Sequence, residues 1–154
     1  MKTIVNSLVR DNLHLFLEHF SQLTPEDKYC RFFHTGGPDA IRSWLLETTE
    51  VPNEHYFFVE EDESELFIGV AQLSIEKNQV EAGIAISVVP QARGNGIASK
   101  LILNAISFGK SLGLKKITFK CELANFACKR LYKSIGFSLD YSEPEDCIVG
   151  YIEV

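Results

Sequence analysis

The sequence predicts a mixed α+β fold whose sheet is antiparallel at first and parallel at its centre. Three observations lead there. Residues 55–89 hold three β-rich runs, "HYFFVEE", "ELFIGVAQLSIEK" and "VEAGIAISVV", separated only by short turns, so they pair as an antiparallel meander. From "VEAGIAISVV" to "KKITFKC" the chain reads strand, helix, strand, a crossover that is parallel and right-handed. The 154 residues are 45% hydrophobic, enough for a single domain over residues 1–154 with its own core.

Each element has a local reason. "KTIVNSLV" reads as a first strand. "DNLHLFLEHFSQL" sets Leu13, Phe16, Leu17 and Phe20 at helical spacing. "LTPEDKYCRFF" opens with Thr24 as N-cap, Pro25 at the first helical position and acids in the first turn. "HTGGP" breaks that helix. "DAIRSWLLETT" puts Ile41, Trp44, Leu45 and Thr48 on one face, with Trp44 expected in the core. "DESE" and "NQ" supply the meander turns. "KLILNAISFGKSLG" reads as a helix after Ser99 that buries Leu101, Ile102, Ala105 and Ile106 and ends at Gly109 or Gly113. "KKITFKC" alternates as a strand, "NFACKRLYKSI" is a short helix stopped by Gly136, and "FSLDY" and "CIVGYIEV" flank the acidic turn "SEPED" as a last hairpin.

Composition narrows the function classes. No run approaches the roughly 20 apolar residues of a membrane span, and the start lacks a signal-peptide pattern, so a cytoplasmic protein without a membrane partner is expected. Cys30, Cys121, Cys128 and Cys147 form no CxxC pair, and His14, His19, His34 and His55 are scattered. Reduced, packed thiols and no metal follow. The net charge of −6 is uneven: residues 93–133 carry +8, residues 1–92 carry −9 and residues 134–154 carry −5. The basic stretch reads either as a solvated face or as a seat for an anionic ligand. Overall acidity argues against nucleic acid as a partner.

The stretch "PQARGNGIAS", Pro90 to Ser99, follows a strand and opens a helix. Backbone N–H groups and the helix dipole converge there, and glycines allow close approach. A simple tight turn explains the glycines equally well. A Walker A loop is excluded, because Gly96 is followed by Ile-Ala-Ser rather than Lys-Ser/Thr. A dinucleotide fingerprint fits poorly, since Gly94-Asn95-Gly96-Ile97-Ala98-Ser99 ends in serine and follows an antiparallel meander.

Read from Arg93 to Ala98, the loop is R-x-x-G-x-A, and the chain there resembles the GNAT superfamily of acyl-CoA-dependent N-acyltransferases. "NFACKRLYKSIGF" resembles the superfamily's second block through Asn125, Leu131, Tyr132, Gly136 and Phe137, with Cys128 at a position usually held by alanine. The resemblance covers residues 80–137 well and the remainder by element order. It implies a three-layer, GNAT-like fold, with helices flanking a mostly antiparallel sheet.

It also implies acetyl-CoA as co-substrate and direct attack by a primary amine in a ternary complex. Arg93, Gly94, Gly96, Ile97, Ala98 and Ser99 would hold the pyrophosphate, Arg93 more by fixing the loop than by catalysis. The backbone at Val88 and Val89 would meet the acyl carbonyl. Tyr132 stands at the general-acid position, although it reads alternatively as a half-buried aromatic. Asn125 would bond the pantetheine arm or cap its helix. The superfamily often has an acid where this chain has Gly83. Glu81 lies two residues earlier on the same strand face, about 7 Å along. It is either a water-mediated base or a solvated strand end.

"LTPEDKYCRFFH" faintly resembles bacterial protein-lysine acetyltransferase domains, so the acceptor is expected to be a small-molecule amine or a protein lysine. His34, Thr35, Gly36 and Gly37 read as an acceptor-side loop, and Glu60, Glu61, Asp62 and Glu63 as acids facing a cationic amine or simply water. A monomer or homodimer is expected. The alternative function is a non-catalytic acyl-CoA sensor on the same fold.

Overall fold

The computed structural model describes residues 2–6, 10–32, 37–49, 53–61, 64–141 and 147–154. Along the chain run β1 (Lys2–Asn6), a 3-10 turn (Arg10–Asn12), α1 (Leu13–Ser21), α2 (Pro25–Phe32) and α3 (Pro38–Thr49). The meander follows as β2 (Glu54–Glu60), β3 (Phe67–Ile75) and β4 (Glu81–Val88). After a 3-10 turn (Pro90–Ala92) come α4 (Ile97–Ser111), β5 (Lys116–Glu122), α5 (Phe126–Ile135), β6 (Ser138–Asp140) and β7 (Cys147–Glu153). The strands form one sheet in the order β1-β2-β3-β4-β5-β7-β6. Among the described residues every pairing is antiparallel except β4 with β5, as the strand–helix–strand step requires.

Both faces of the sheet are covered. Phe57, Val59, Ala71, Leu73, Ala82 and Ile84 pack with α4 and α5 around Leu101, Ile102 and Tyr132. Tyr56, Phe58, Phe67 and Val70 pack with α1 and α3 around Phe16, Phe20, Ile41 and Leu45. Neighbouring residues of β2 thus enter opposite cores, as the period of two dictates. The start of α2 is a reciprocal cap: Asp27 N–H donates to Thr24 Oγ1 at 3.1 Å and Thr24 N–H to Asp27 Oδ2 at 3.2 Å.

Two local expectations change. The fourth helix starts at Ile97, inside the glycine loop, and runs through Gly109 to Ser111; the N–H groups of Ile97, Ala98 and Ser99 therefore belong to its first turn. Trp44 is only partly buried. Its ring lies 5.3 Å from the Arg31 guanidinium and 6.5 Å from Tyr56; it packs against the edge of the core around Phe16 and also lines a cleft. His34, Thr35, Gly36, Asp62, Glu63 and the turn 142–146 lie outside the described residues.

Across β5, Phe119 pairs with Gly150 of β7. Phe119 also stacks flat on Tyr132, with centroids 3.8 Å apart and planes at 9°, while Phe137 meets both rings edge-on. A β-carbon on residue 150 would stand 2.0 Å from Phe119 Cε1. The ring cannot retreat, because Tyr132 covers its other side. Gly150→Ala is expected to destabilise the fold by about 1–3 kcal/mol through overpacking, measured by urea unfolding; an unchanged midpoint would show that Phe119 is not pinned.

Candidate active site

The parallel junction is short. β4 and β5 pair only at Glu81 with Lys116, Ala82 with Ile117 and Gly83 with Thr118. Beyond that row β4 stays with β3 as far as Val88, and β5 stays with β7 as far as Glu122, so the sheet splits between them. Val89 N–H donates to Ile68 O at 3.0 Å, which fixes the alternation. Gly83, Ala85, Ser87 and Val89 turn their backbone groups to β3, whereas Ile84, Ile86 and Val88 turn theirs toward the split. Of the two expected carbonyl-facing positions, Val88 therefore meets the split and Val89 is committed to β3.

A cleft of about 1520 Å³ runs through the split. That exceeds the usual range for one small ligand, roughly 300–1,000 Å³, so it has room for two. The glycine loop closes one end. Gly94 and Gly96 have φ of 82° and 74°, a backbone that other residues adopt with strain. Gly96 is the residue before α4, and the first N–H groups of a helix have no intrahelical acceptor. Asn95 Nδ2 folds back to Ala92 O at 3.1 Å. Arg93 braces the loop: its Nε–H donates to Val88 O at 3.2 Å, and its guanidinium meets Asp27 Oδ2 at 2.8 Å. Burial pushes the Asp27 carboxyl up, but hydrogen bonds from Arg93 and Thr24 outweigh it and hold the group below its ordinary range.

Tyr132 lies in the cleft lining, almost without solvent exposure. Burial raises its hydroxyl well above the ordinary phenol range, Cys128 pushes the same way and Arg31 opposes. Its hydroxyl therefore stays protonated at neutral pH. Asn125 realises the helix-cap reading, accepting from Cys128 N–H at 3.1 Å; it also lines the cleft. Glu81 does not. It stands at the start of β4 in the paired row, its carbonyl bound by Glu76 N–H, outside the cleft lining.

The opposite wall holds residues that the sequence reading did not single out. On the face toward α1, α2 and α3, β4 presents Gly83, Ala85 and Ser87, all small. Cross-strand rows extend them: Gly83 with Ser74 and Glu54, Ala85 with Gln72 and Tyr56, Ser87 with Val70 and Phe58. Arg31 donates to Gln72 Oε1 at 2.6 Å, Gln72 Nε2 to Glu54 Oε2 at 2.8 Å, and Ser74 Oγ to the same oxygen at 2.6 Å. His19, fully buried, donates from Nδ1 to Phe67 O at 2.7 Å, and since a carbonyl only accepts, Nε2 accepts from Ser87 Oγ at 2.7 Å. His19 carried a signal, a polar residue three after Phe16 on an apolar helical stripe. Glu54 carried none, because its importance comes from cross-strand register. Among the described residues no group of three or more His, Cys, Asp or Glu could hold a metal ion. No helix there is long and apolar enough to cross a membrane.

The split beside β4, with a glycine loop and a helix start at its mouth, has room and backbone donors for a long, phosphate-bearing ligand. The solved structures agree on the fold. The GNAT domain of S. lividans PAT superposes with a TM-score of 0.86 at 17% identity, covering 99% of this chain and 89% of that one. Spermidine N-acetyltransferase from Vibrio cholerae, in complex with CoA and spermine, gives 0.77 at 21% identity over 98% and 95%. The acetyltransferase yncA from Salmonella typhimurium, described as putative and solved with acetyl-CoA, gives 0.72 at 16% over 99% and 94%. No curated protein sequence matches. The model of the acetyltransferase (GNAT) family matches residues 14–137. The chain belongs to that family and is an acyltransferase.

Burial lowers the pKa of His19 from 6.5 to about 4, partly offset by the bond to Phe67 and reinforced by Arg31. Between those values the unfolded chain binds a proton that the folded protein refuses, so stability falls as pH drops. Acidifying from pH 7 to 4.5 is expected to cost about 2–3 kcal/mol through this residue. Urea unfolding at both pH values checks it: His19→Gln flattens the slope, and an equally steep slope would show that His19 does not set it.

Proposed function

We propose that the protein transfers the acetyl group of acetyl-CoA to a primary amine, by direct attack within a ternary complex. The observation that carries this reading is the split after Gly83 and Thr118, which turns the backbone groups of Ile86 and Val88 toward the cleft beside the glycine loop. A chain of amides entering the split can take up the hydrogen bonds that β4 and β5 no longer make to each other. The N–H groups at the start of α4, with Gly94, Gly96 and Ser99, suit its pyrophosphate. Arg93 acts as the brace of that cradle.

The chemistry then divides among four groups. A backbone N–H on the split side of β4 stabilises the carbonyl oxygen as it becomes negative. Tyr132 gives its proton to the departing thiolate. The amine enters over the small residues Gly83, Ala85 and Ser87. Its ammonium must first lose a proton, and Glu54 is the better-situated acceptor. Its carboxylate lies at Ser74, one strand, about 4.8 Å, from the Gly83 row, and both of its bonds fall on Oε2. Glu81 lines no part of the cleft. Two proteins of this fold are a spermidine N-acetyltransferase and a ribosomal-protein-alanine N-acetyltransferase, which supports small-molecule amines and protein amines as the acceptor classes to try.

The test is thiol release from acetyl-CoA across polyamines, amino acids and lysine peptides. Turnover with at least one acceptor is expected. Tight acetyl-CoA binding with no turnover would favour a binding-only protein. In the active assay, Tyr132→Phe and Glu54→Gln are each expected to lower kcat roughly 10²-fold, with acetyl-CoA affinity nearly unchanged. Unchanged kcat in either variant would remove that residue from the mechanism.

A further inference from the structure

Two cysteines face the cleft where the preceding reading puts the sulfur of the cofactor. Cys121, at the end of β5, and Cys128, in the first turn of α5, both line it. Both are thiols rather than halves of a disulfide, and they touch through a side-chain hydrogen bond. Cys121 is nearly buried, whereas Cys128 is half-exposed, so Cys128 is the one that a ligand reaches.

Two features favour thiolate at Cys128. Cys128 is the third residue of α5, where the positive end of the helix dipole lies. Lys129 follows it. The bond between the two thiols lowers Cys121 against the effect of burial, with Lys129 acting the same way; Cys121→Ser takes that competing thiolate away. Cys128 also stands four residues before Tyr132, on the same helix face. A sulfur that reaches the Tyr132 hydroxyl is therefore about one helical turn, roughly 5 Å, from the Cys128 position.

We propose that Cys128 is a modification site that takes up coenzyme A as a mixed disulfide when the cofactor is present in its disulfide form. The Cys128 thiolate attacks one sulfur of coenzyme A disulfide. The S–S bond breaks, a Cys128–coenzyme A disulfide forms, and the second coenzyme A leaves as a thiolate that takes the proton lost by Cys128. The exchange needs no further oxidant. The tethered nucleotide then occupies the cleft and excludes acetyl-CoA until a thiol reduces it. The inference rests on the acetyl-CoA reading, because the cleft must hold the nucleotide for Cys128 to be selected.

The test uses Cys121→Ser, so that the neighbouring thiol cannot displace the adduct. Incubated with coenzyme A disulfide, it is expected to gain one coenzyme A less two hydrogens by intact mass. Peptide mapping should locate the adduct at Cys128, dithiothreitol should remove it, and saturating acetyl-CoA should suppress it. The rate should exceed that with oxidised glutathione by about ten-fold or more, since the cleft concentrates only the former. An adduct absent from Cys128, insensitive to acetyl-CoA, or formed equally fast from glutathione would overturn the inference. Calorimetric titration of the same protein with acetyl-CoA separates the two readings: binding without an adduct sinks this one alone, and no binding sinks both. Should Cys121→Ser fail to fold, an alkylation-quenched time course on the wild type carries the test. Cys128 must then be the first thiol modified.

Discussion

The rest of the structure depends on how little β4 and β5 hold each other. Three pairs join them, and then each strand follows its other neighbour. A sheet interior does not normally leave backbone groups unpaired, since each buried N–H or C=O without a partner costs free energy comparable to a lost hydrogen bond. The opening is tolerable because it reaches solvent and because both sides are independently stiff. β4 is paired along its length with β3, and β5 with β7. Phe119 and Tyr132 stack face to face at the divide. The cleft is thus a gap between two finished half-sheets, and its shape is set before any ligand arrives.

This construction sorts the residues by task. The α4/α5 side supplies the glycine loop, Asn125 and the thiols at helix starts and a strand end, with Tyr132 one turn further along α5, all lining the gap. The other side supplies Arg31, Gln72, Glu54, Ser74, Ser87 and His19, assembled from five elements by cross-strand register and helix packing. The uneven charge in the sequence follows the same division, with the basic stretch on the loop side and the acidic remainder elsewhere.

The division also explains what could be read before the fold was seen. The loop and the block ending in Phe137 are contiguous, so their glycines, Asn125 and Tyr132 stand out as motifs. The meander and crossover were legible from alternation and spacing, and the parallel junction followed from them. Glu54 was not legible: it becomes interesting only when Ser74 and Gly83 line up beside it, three segments apart in sequence. The helix start at Ile97 was hidden because glycine and asparagine read as loop, although Gly96 serves as the cap of α4. Trp44 sits at the rim of the core rather than inside it, because helical spacing gives the face of a residue, not the depth of what lies opposite.

The ion pair between Arg93 and Asp27 ties the loop to the first turn of α2, and the last turn of α2 carries Arg31 into the far wall. One helix therefore spans the two halves of the cleft like a beam resting on both banks. The spacing between the loop and the far wall is therefore set by the length of a single eight-residue helix.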